Sequence, residues 1–215
     1  MTTNRAVLIC GVATDPVVWE TTASRFIAAG FDVDVPKRPQ TGDLDSEIGF
    51  LAPLCTGAVV VGVSGGATLG VELLARGVDV AAAFLHEPAA GSLSPGLLDP
   101  VASAFDADGV TGFGSKLYGS GWALSMTSAD ASTVARELAM FRAFEPRPPA
   151  SRHAPVVLTV GEKSPKIRCE SVRAIASFCG FEVRILAGTS HAAHIDDAYG
   201  PIVDSLAQNR TKPAP

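Results

Sequence analysis

Several features that would direct function elsewhere are missing from this 215-residue sequence. Its 17 Lys and Arg residues form no cluster and are outnumbered by 22 Asp and Glu. Binding a phosphate backbone needs a concentrated basic patch, so nucleic acid is not an expected partner. No apolar run approaches the roughly 20 residues needed to cross a bilayer, because Gly, Pro or polar residues interrupt each one. Met1 to Arg5 lead into a short apolar stretch that stops at Gly11, without the apolar length or cleavage site of a signal peptide. A cytoplasmic protein with no membrane partner is expected. Cys10, Cys55, Cys169 and Cys179 lack CxxC spacing and read as reduced thiols in apolar segments rather than disulfides or zinc ligands. The Gly-rich stretch Gly62 to Gly70 gives neither GxGxxG nor a Walker lysine, so no nucleotide cofactor is expected. His191 and His194 stand three residues apart with no supporting His/Cys cluster, and no metal is expected either.

What is present is an alternation. Apolar, β-branched runs at 6–10, 31–35, 58–63, 80–85, 155–160 and 182–186 read as strands. Amphipathic stretches at 17–29, 44–54, 64–76, 165–178 and 195–207 read as helices between and after them. Ala58-Val59-Val60-Val61-Gly62-Val63 is apolar on both faces, as a central parallel strand is. The pattern implies one α/β domain: an open, mostly parallel sheet of about six strands with helices on both faces. Chemistry in such sheets sits beyond the carboxyl ends of the strands. The rhythm breaks only between 89 and 152, which are rich in Gly, Ser and Pro. That segment contains one clear helix, from about Asp130 to Phe144, with Thr127 and Asp130 at capping-box spacing. The core is thus expected in two parts, 1–88 and 153–209, with 89–152 inserted as a lid and 210–215 as a frayed tail.

Gly62-Val63-Ser64-Gly65-Gly66 fits G-x-S-x-G at a strand-to-helix junction. The turn there is so sharp that flanking side chains must be absent, and it presents the serine hydroxyl at the sheet edge. Unpaired N–H groups at the start of the following helix suit an oxyanion. The alternative is a Gly-rich turn with an incidental serine.

With Cys10-Gly11 and downstream Trp19, Gly62–Gly66, His86-Glu87-Pro88 and Gly188-Thr189-Ser190-His191, nearly the whole chain resembles the α/β-hydrolase superfamily, in particular its small lid-bearing bacterial members. The resemblance implies hydrolysis of an ester, lactone, thioester or amide of a small-molecule substrate through an acyl-enzyme, with no cofactor. It also implies a trimmed fold that lacks the usual first two antiparallel strands. Ser64 would be the nucleophile and His191 the base, in the chain order of the fold. His194, at the expected start of the last helix, is the weaker candidate, and His86 and His153 read as structural. The N–H groups of Val12 and Gly65 would form the oxyanion hole. Where many relatives carry Gly-Glu-x-Asp, this chain has Gly161-Glu162-Lys163-Ser164-Pro165. Ser164 then reads as a helix N-cap ahead of Pro165, and the triad acid passes to Glu87, with Glu162 as its rival. An ordinary His base gives a rate that rises through roughly pH 6 to 7.5.

The lid contributes Phe113, Tyr118, Trp122, Met126, Met140, Phe141 and Phe144, which divide between lid core and an apolar pocket, with Trp122 expected as a pocket wall. The leading function is hydrolysis of a small or medium, apolar carboxylic ester or lactone. Thioesterase, perhydrolase or lyase chemistry on the same triad is an alternative, and so is a ligand-binding homologue without turnover.

Overall fold

The computed structural model describes residues 4–151 and 153–211. Chain order runs β1 (Arg5–Ile9), α1 (Glu20–Ala28), β2 (Asp32–Asp34), α2 (Leu44–Cys55), β3 (Val59–Val63), α3 (Gly65–Ala75), β4 (Ala82–His86), α4 (Asp99–Tyr118), α5 (Ala131–Arg142), β5 (Val156–Gly161), α6 (Lys166–Cys179), β6 (Glu182–Leu186) and α7 (Gly200–Thr211). The strands make one six-stranded sheet in the order β2-β1-β3-β4-β5-β6, parallel at every pairing and covered by helices on both faces. From β1 the chain moves outward to β2, then returns to build the rest on the other side of β1. The gap between the ends of β1 and β3 is therefore the switch point of the topology.

Burial follows position in the sheet. Every residue of β3 and β4 is buried, whereas the edge strand β6 is exposed over its first four residues. α2 starts on Asp43, whose side chain accepts from the Ser46 N–H at 2.8 Å, and buries Ile48, Leu51 and Cys55 along one stripe. α6 ends on Gly180 in the left-handed region, the usual helix stop.

Four details differ from the pattern read in the sequence. The segment 89–152 holds two long helices, since α4 precedes α5. The glycines that disguise α4 are sites of close approach: a β-carbon at Gly112 would lie 2.2 Å from the Ala104 carbonyl oxygen, and one at Gly114 2.4 Å from the Trp122 ring. α4 also breaks at Asp108 and Gly109, where φ is −143° and +55°, so no single amphipathic stripe runs along it. The N-cap of α5 is Asp130 itself, accepting from the Thr133 N–H at 2.8 Å, and not Thr127. The last helix starts at Gly200 rather than Ile195, because residues 191–199 close into turns and Asp197 takes a positive φ of 55°; Pro201 then suits the first helical turn. Ser164 is not a cap: α6 begins after Pro165, and the Ser164 hydroxyl is used elsewhere. The expected frayed tail beyond residue 211 lies outside the described residues.

The close approach of α3 to β1 gives a stability test. A β-carbon at Gly66 would fall 2.2 Å from the Ile9 carbonyl oxygen, whereas one at Gly49, exposed on α2, meets nothing within 4 Å. Gly66→Ala is expected to cost about 2–3 kcal/mol through overpacking against backbone. Gly49→Ala is expected to stabilise by about 0.5–1 kcal/mol. Urea unfolding of the two variants checks both signs.

Candidate active site

Ser64 is the single residue between β3 and α3 and holds φ 56°, ψ −120°, a region an L-residue enters only under constraint. Its N–H donates to the His86 carbonyl at 2.8 Å and its carbonyl accepts from the Thr68 N–H at 2.9 Å, so sheet and helix clamp it from both sides. The flanking glycines are required sterically. A β-carbon at Gly62 would meet the Gly66 carbonyl at 2.6 Å, and one at Gly65 the Phe141 ring at 2.7 Å.

On the neighbouring strand, Glu87 follows β4 and also has a positive φ, 49°. Its Oε2 lies 2.7 Å from His191 Nδ1. Its Oε1 accepts from the Gly161 N–H at 3.0 Å and from the Ser164 hydroxyl. The Ser164 hydroxyl and the Gly161 N–H thus orient the carboxylate that meets His191. Burial pushes the Glu87 carboxyl up, but the His191 hydrogen bond, with the Arg168 guanidinium nearby, outweighs it and holds the group well below the carboxylate range. Glu162 is exposed and accepts from the Gly188 N–H at 2.9 Å, which places it on the loop before His191 and not against the imidazole.

The other histidines are separable by their partners. His86 is fully buried, with Nδ1 2.9 Å from Thr159 Oγ1 and Nε2 2.9 Å from the Ser190 carbonyl; it ties the His191 loop to β4 and β5. His194 is buried against Trp19 and Tyr118, at ring separations of 5.1 and 5.5 Å, and neither of its ring nitrogens finds a partner. It lies in a turn rather than a helix. His153 is exposed. Cys10 and Cys55 are free thiols pushed up to about 12 by burial, hence unreactive. Among the described residues no group of three or more His, Cys, Asp or Glu is placed to hold a metal ion.

Val12 and Gly65 flank Ser64 in a cavity of about 20 Å³ whose walls include Phe113, Leu117, Leu138 and Phe141. Neither the Val12 nor the Gly65 N–H has a hydrogen-bond acceptor among the described residues. Trp122 is not in that wall. It packs on Gly114, and its indole N–H donates to the Ala13 carbonyl at 2.9 Å, so it braces the loop after β1 from behind. The lid aromatic stacked on His191 is Tyr118, at the end of α4. Its hydroxyl donates to the Val12 carbonyl at 2.8 Å beside Ser64, and its ring stacks on His191 at 5.6 Å and 29°. His191 Nε2 has no partner among the described residues: Glu87 and His191 are joined, while no hydrogen bond links His191 to Ser64.

Arg38 carries no mark of its place in the sequence pattern. This buried side chain donates to the Cys10 and Gly11 carbonyls at 3.0 and 3.3 Å, to Glu47 at 2.8 Å and to Glu137 of α5 at 2.5 Å. It thereby fixes the loop that carries Val12. In Pro36-Lys37-Arg38-Pro39 it has the look of a surface loop residue, and only the buried carboxylates of two distant helices mark it.

No family model matches the chain, and no curated protein matches it. Solved structures do. An enol-lactonase from Burkholderia xenovorans LB400 is similar over 97% of this chain and 92% of its own, with a TM-score of 0.70 and 21% identity. MenH from S. aureus is similar over 99% and 96%, with a TM-score of 0.69 and 14% identity. The type II thioesterase BorB from the borrelidin biosynthetic cluster is similar over 96% and 92%, with a TM-score of 0.63 and 16% identity. The class these likenesses define is plain: the chain has the α/β-hydrolase fold. Its version has six parallel strands and no antiparallel pair among the described residues. No helix among those residues is long and apolar enough to cross a membrane.

The buried imidazoles give a pH dependence. Burial, with the Arg168 charge second, pushes His191 down to about 3, and burial likewise lowers His86 and His194. Unfolded, each takes up a proton near pH 6.5, so below that pH the unfolded chain binds more protons than the native one. Stability is then full above about pH 6.5 and falls as the pH drops, by up to about 1.4 kcal/mol per pH unit per histidine. Thermal midpoints between pH 7.5 and 5 are expected to decline below about 6.5, with a shallower slope in His194→Gln. A midpoint that stays level across that range contradicts the assignment of neutral buried imidazoles.

Proposed function

We propose that the protein is a serine hydrolase that cleaves a small or medium carboxylic ester or lactone through an acyl-enzyme on Ser64. The observation that carries this reading is the 2.7 Å contact from His191 Nδ1 to Glu87, which leaves His191 Nε2 free, set beside a serine held at φ 56°. Glu87 fixes the tautomer in which Nε2 accepts a proton, and it stabilises the imidazolium that forms. Ser64 Oγ attacks the carbonyl carbon as its proton passes to His191 Nε2. The resulting oxyanion is met by the Val12 and Gly65 N–H groups. His191 returns the proton to the leaving alkoxide, and water repeats the sequence to release the acid.

A cavity of about 20 Å³ holds no more than a water or two, so the segment 89–152 acts as a lid that must lift before an ester enters. Tyr118 has to leave the face of His191 in the same movement. The walls Phe113, Leu117, Leu138 and Phe141 suit an apolar acyl or ring portion. Thioester cleavage uses the same groups in the same order. The free, largely buried cysteines fit a cytoplasmic setting.

A second reading, a ligand-binding homologue without turnover, is favoured by the interposed Tyr118 and the missing Ser64–His191 hydrogen bond. Labelling by a fluorophosphonate probe separates the two. Wild-type protein is expected to label on Ser64 and Ser64→Ala is not, and absence of label on folded wild type sinks the hydrolase.

Kinetics test the roles. Glu87→Gln is expected to lower kcat by about 10²- to 10⁴-fold and Glu162→Gln by less than about tenfold; the reverse ranking moves the acid to the later loop. With His191 pushed down to about 3 by burial and then Arg168, kcat/KM for a neutral ester is expected to be level from about pH 6 upward and to fall only in more acidic buffer. A limb between pH 6 and 7.5 means that the free enzyme carries an ordinary, solvated imidazole.

A further inference from the structure

We propose that Arg168 binds a carboxylate on the substrate, so that the esters or lactones attacked by Ser64 are anionic ones; the inference rests on the hydrolase reading and names its substrate class.

Arg168 lies in the first turn of α6, with its side chain 10% exposed and its Nε 3.5 Å from Glu87 Oε2. It makes no side-chain hydrogen bond among the described residues. Arg38 shows what this protein gives a buried guanidinium it intends only to store: two carboxylates at 2.8 and 2.5 Å and two backbone carbonyls. Burying a charge without hydrogen bonds is costly. Nor does Glu87 need Arg168 as a partner, since His191, Gly161 and Ser164 already occupy its two oxygens. The guanidinium has donors to spare.

Those donors face space. Arg168 lines the cavity at Ser64 and also a groove of about 470 Å³ that reaches Ser190 and His191, a volume within the roughly 300–1,000 Å³ of small-molecule sites. Lys116 and Lys163 line the same groove, and no carboxylate does. Three cations converge here in a chain of net charge −5. Such a field steers an anion inward, and a planar guanidinium fork matches a carboxylate in two-point fashion where an ammonium does not.

The position also bears on the reaction. Around His191 stand Glu87, His86, His194, Tyr118 and Arg168. Of these, Arg168 carries the positive charge that opposes the imidazolium formed when Ser64 attacks. A substrate carboxylate paired with Arg168 cancels that opposition at the moment the proton is transferred.

The test compares p-nitrophenyl hydrogen glutarate with its methyl ester, which differ in the far carboxylate alone. Wild type is expected to favour the acid by about 10- to 100-fold in kcat/KM, mostly through KM. In Arg168→Gln the ratio is expected to fall to about one, whatever happens to the absolute rates, with Arg168→Lys between the two. Where Arg168→Gln does not fold, wild type alone decides: glutarate, but not dimethyl glutarate, is expected to slow fluorophosphonate labelling. A wild-type ratio near one, a preference that survives in Arg168→Gln, or inorganic phosphate binding as tightly as glutarate each overturns the proposal. Should neither ester be hydrolysed and no label form, the hydrolase reading fails by itself. Calorimetry then settles the anion site, since glutarate must bind wild type and lose at least about tenfold in affinity in Arg168→Gln, or the proposal falls with it.

Discussion

The carbonyl oxygen of Ile9 and the α-carbon of Gly66 approach so closely that a β-carbon on the latter would sit 2.2 Å from the former. That contact lets the first turn of α3 lie directly against the end of β1 at the topological switch point. Other constraints follow from it. The turn from β3 into α3 has room for one residue, and that residue is forced to φ 56°. Gly65, which opens α3, lines the same cavity as Val12 of the loop after β1. The scaffold thus supplies a clear surround and an awkward backbone, and the side chain at 64 is presented by both.

The loop after β1, where a β-carbon at Gly11 would meet the Tyr118 hydroxyl at 2.5 Å, has its own restraint. Arg38 supplies this from beneath by holding the Cys10 and Gly11 carbonyls while its charge is matched by Glu47 and Glu137. Tyr118 and Trp122 hold the same loop from above, through the Val12 and Ala13 carbonyls. Four consecutive carbonyls, 10 through 13, are thereby bound by three side chains from two distant parts of the chain. With its carbonyls turned away into these bonds, the loop keeps the Val12 N–H for other use.

Legibility in the sequence tracks how local each cause is. The β-branched run at 58–63 and the glycines at 62, 65 and 66 act through neighbours a few residues away, so the central strand and its turn are readable from the pattern. Glu87 stands in a recognisable His-Glu-Pro segment after a strand. Beside Arg38, three things are not readable, each for its own reason. α4 is hidden because its glycines serve helix-to-helix and helix-to-indole packing, which leaves no trace in periodicity. Ser164 has every mark of an N-cap, yet its hydroxyl goes to Glu87, 77 residues earlier; long-range hydrogen bonds override local propensity. Tyr118 counts from the sequence as one lid aromatic among several, and only the tertiary fold lays it against His191.

α5 carries two duties on one stripe of its surface. Glu137 points toward Arg38, whereas Leu138 and Phe141, one and four residues on, belong to the cavity wall. The anchor and the cavity wall thus share one stripe of one short helix, since residues i and i+4 lie on the same face. A protein built this way couples its entrance to its frame: exchanging a residue that meets a guest bears on the charge pair that keeps the helix docked.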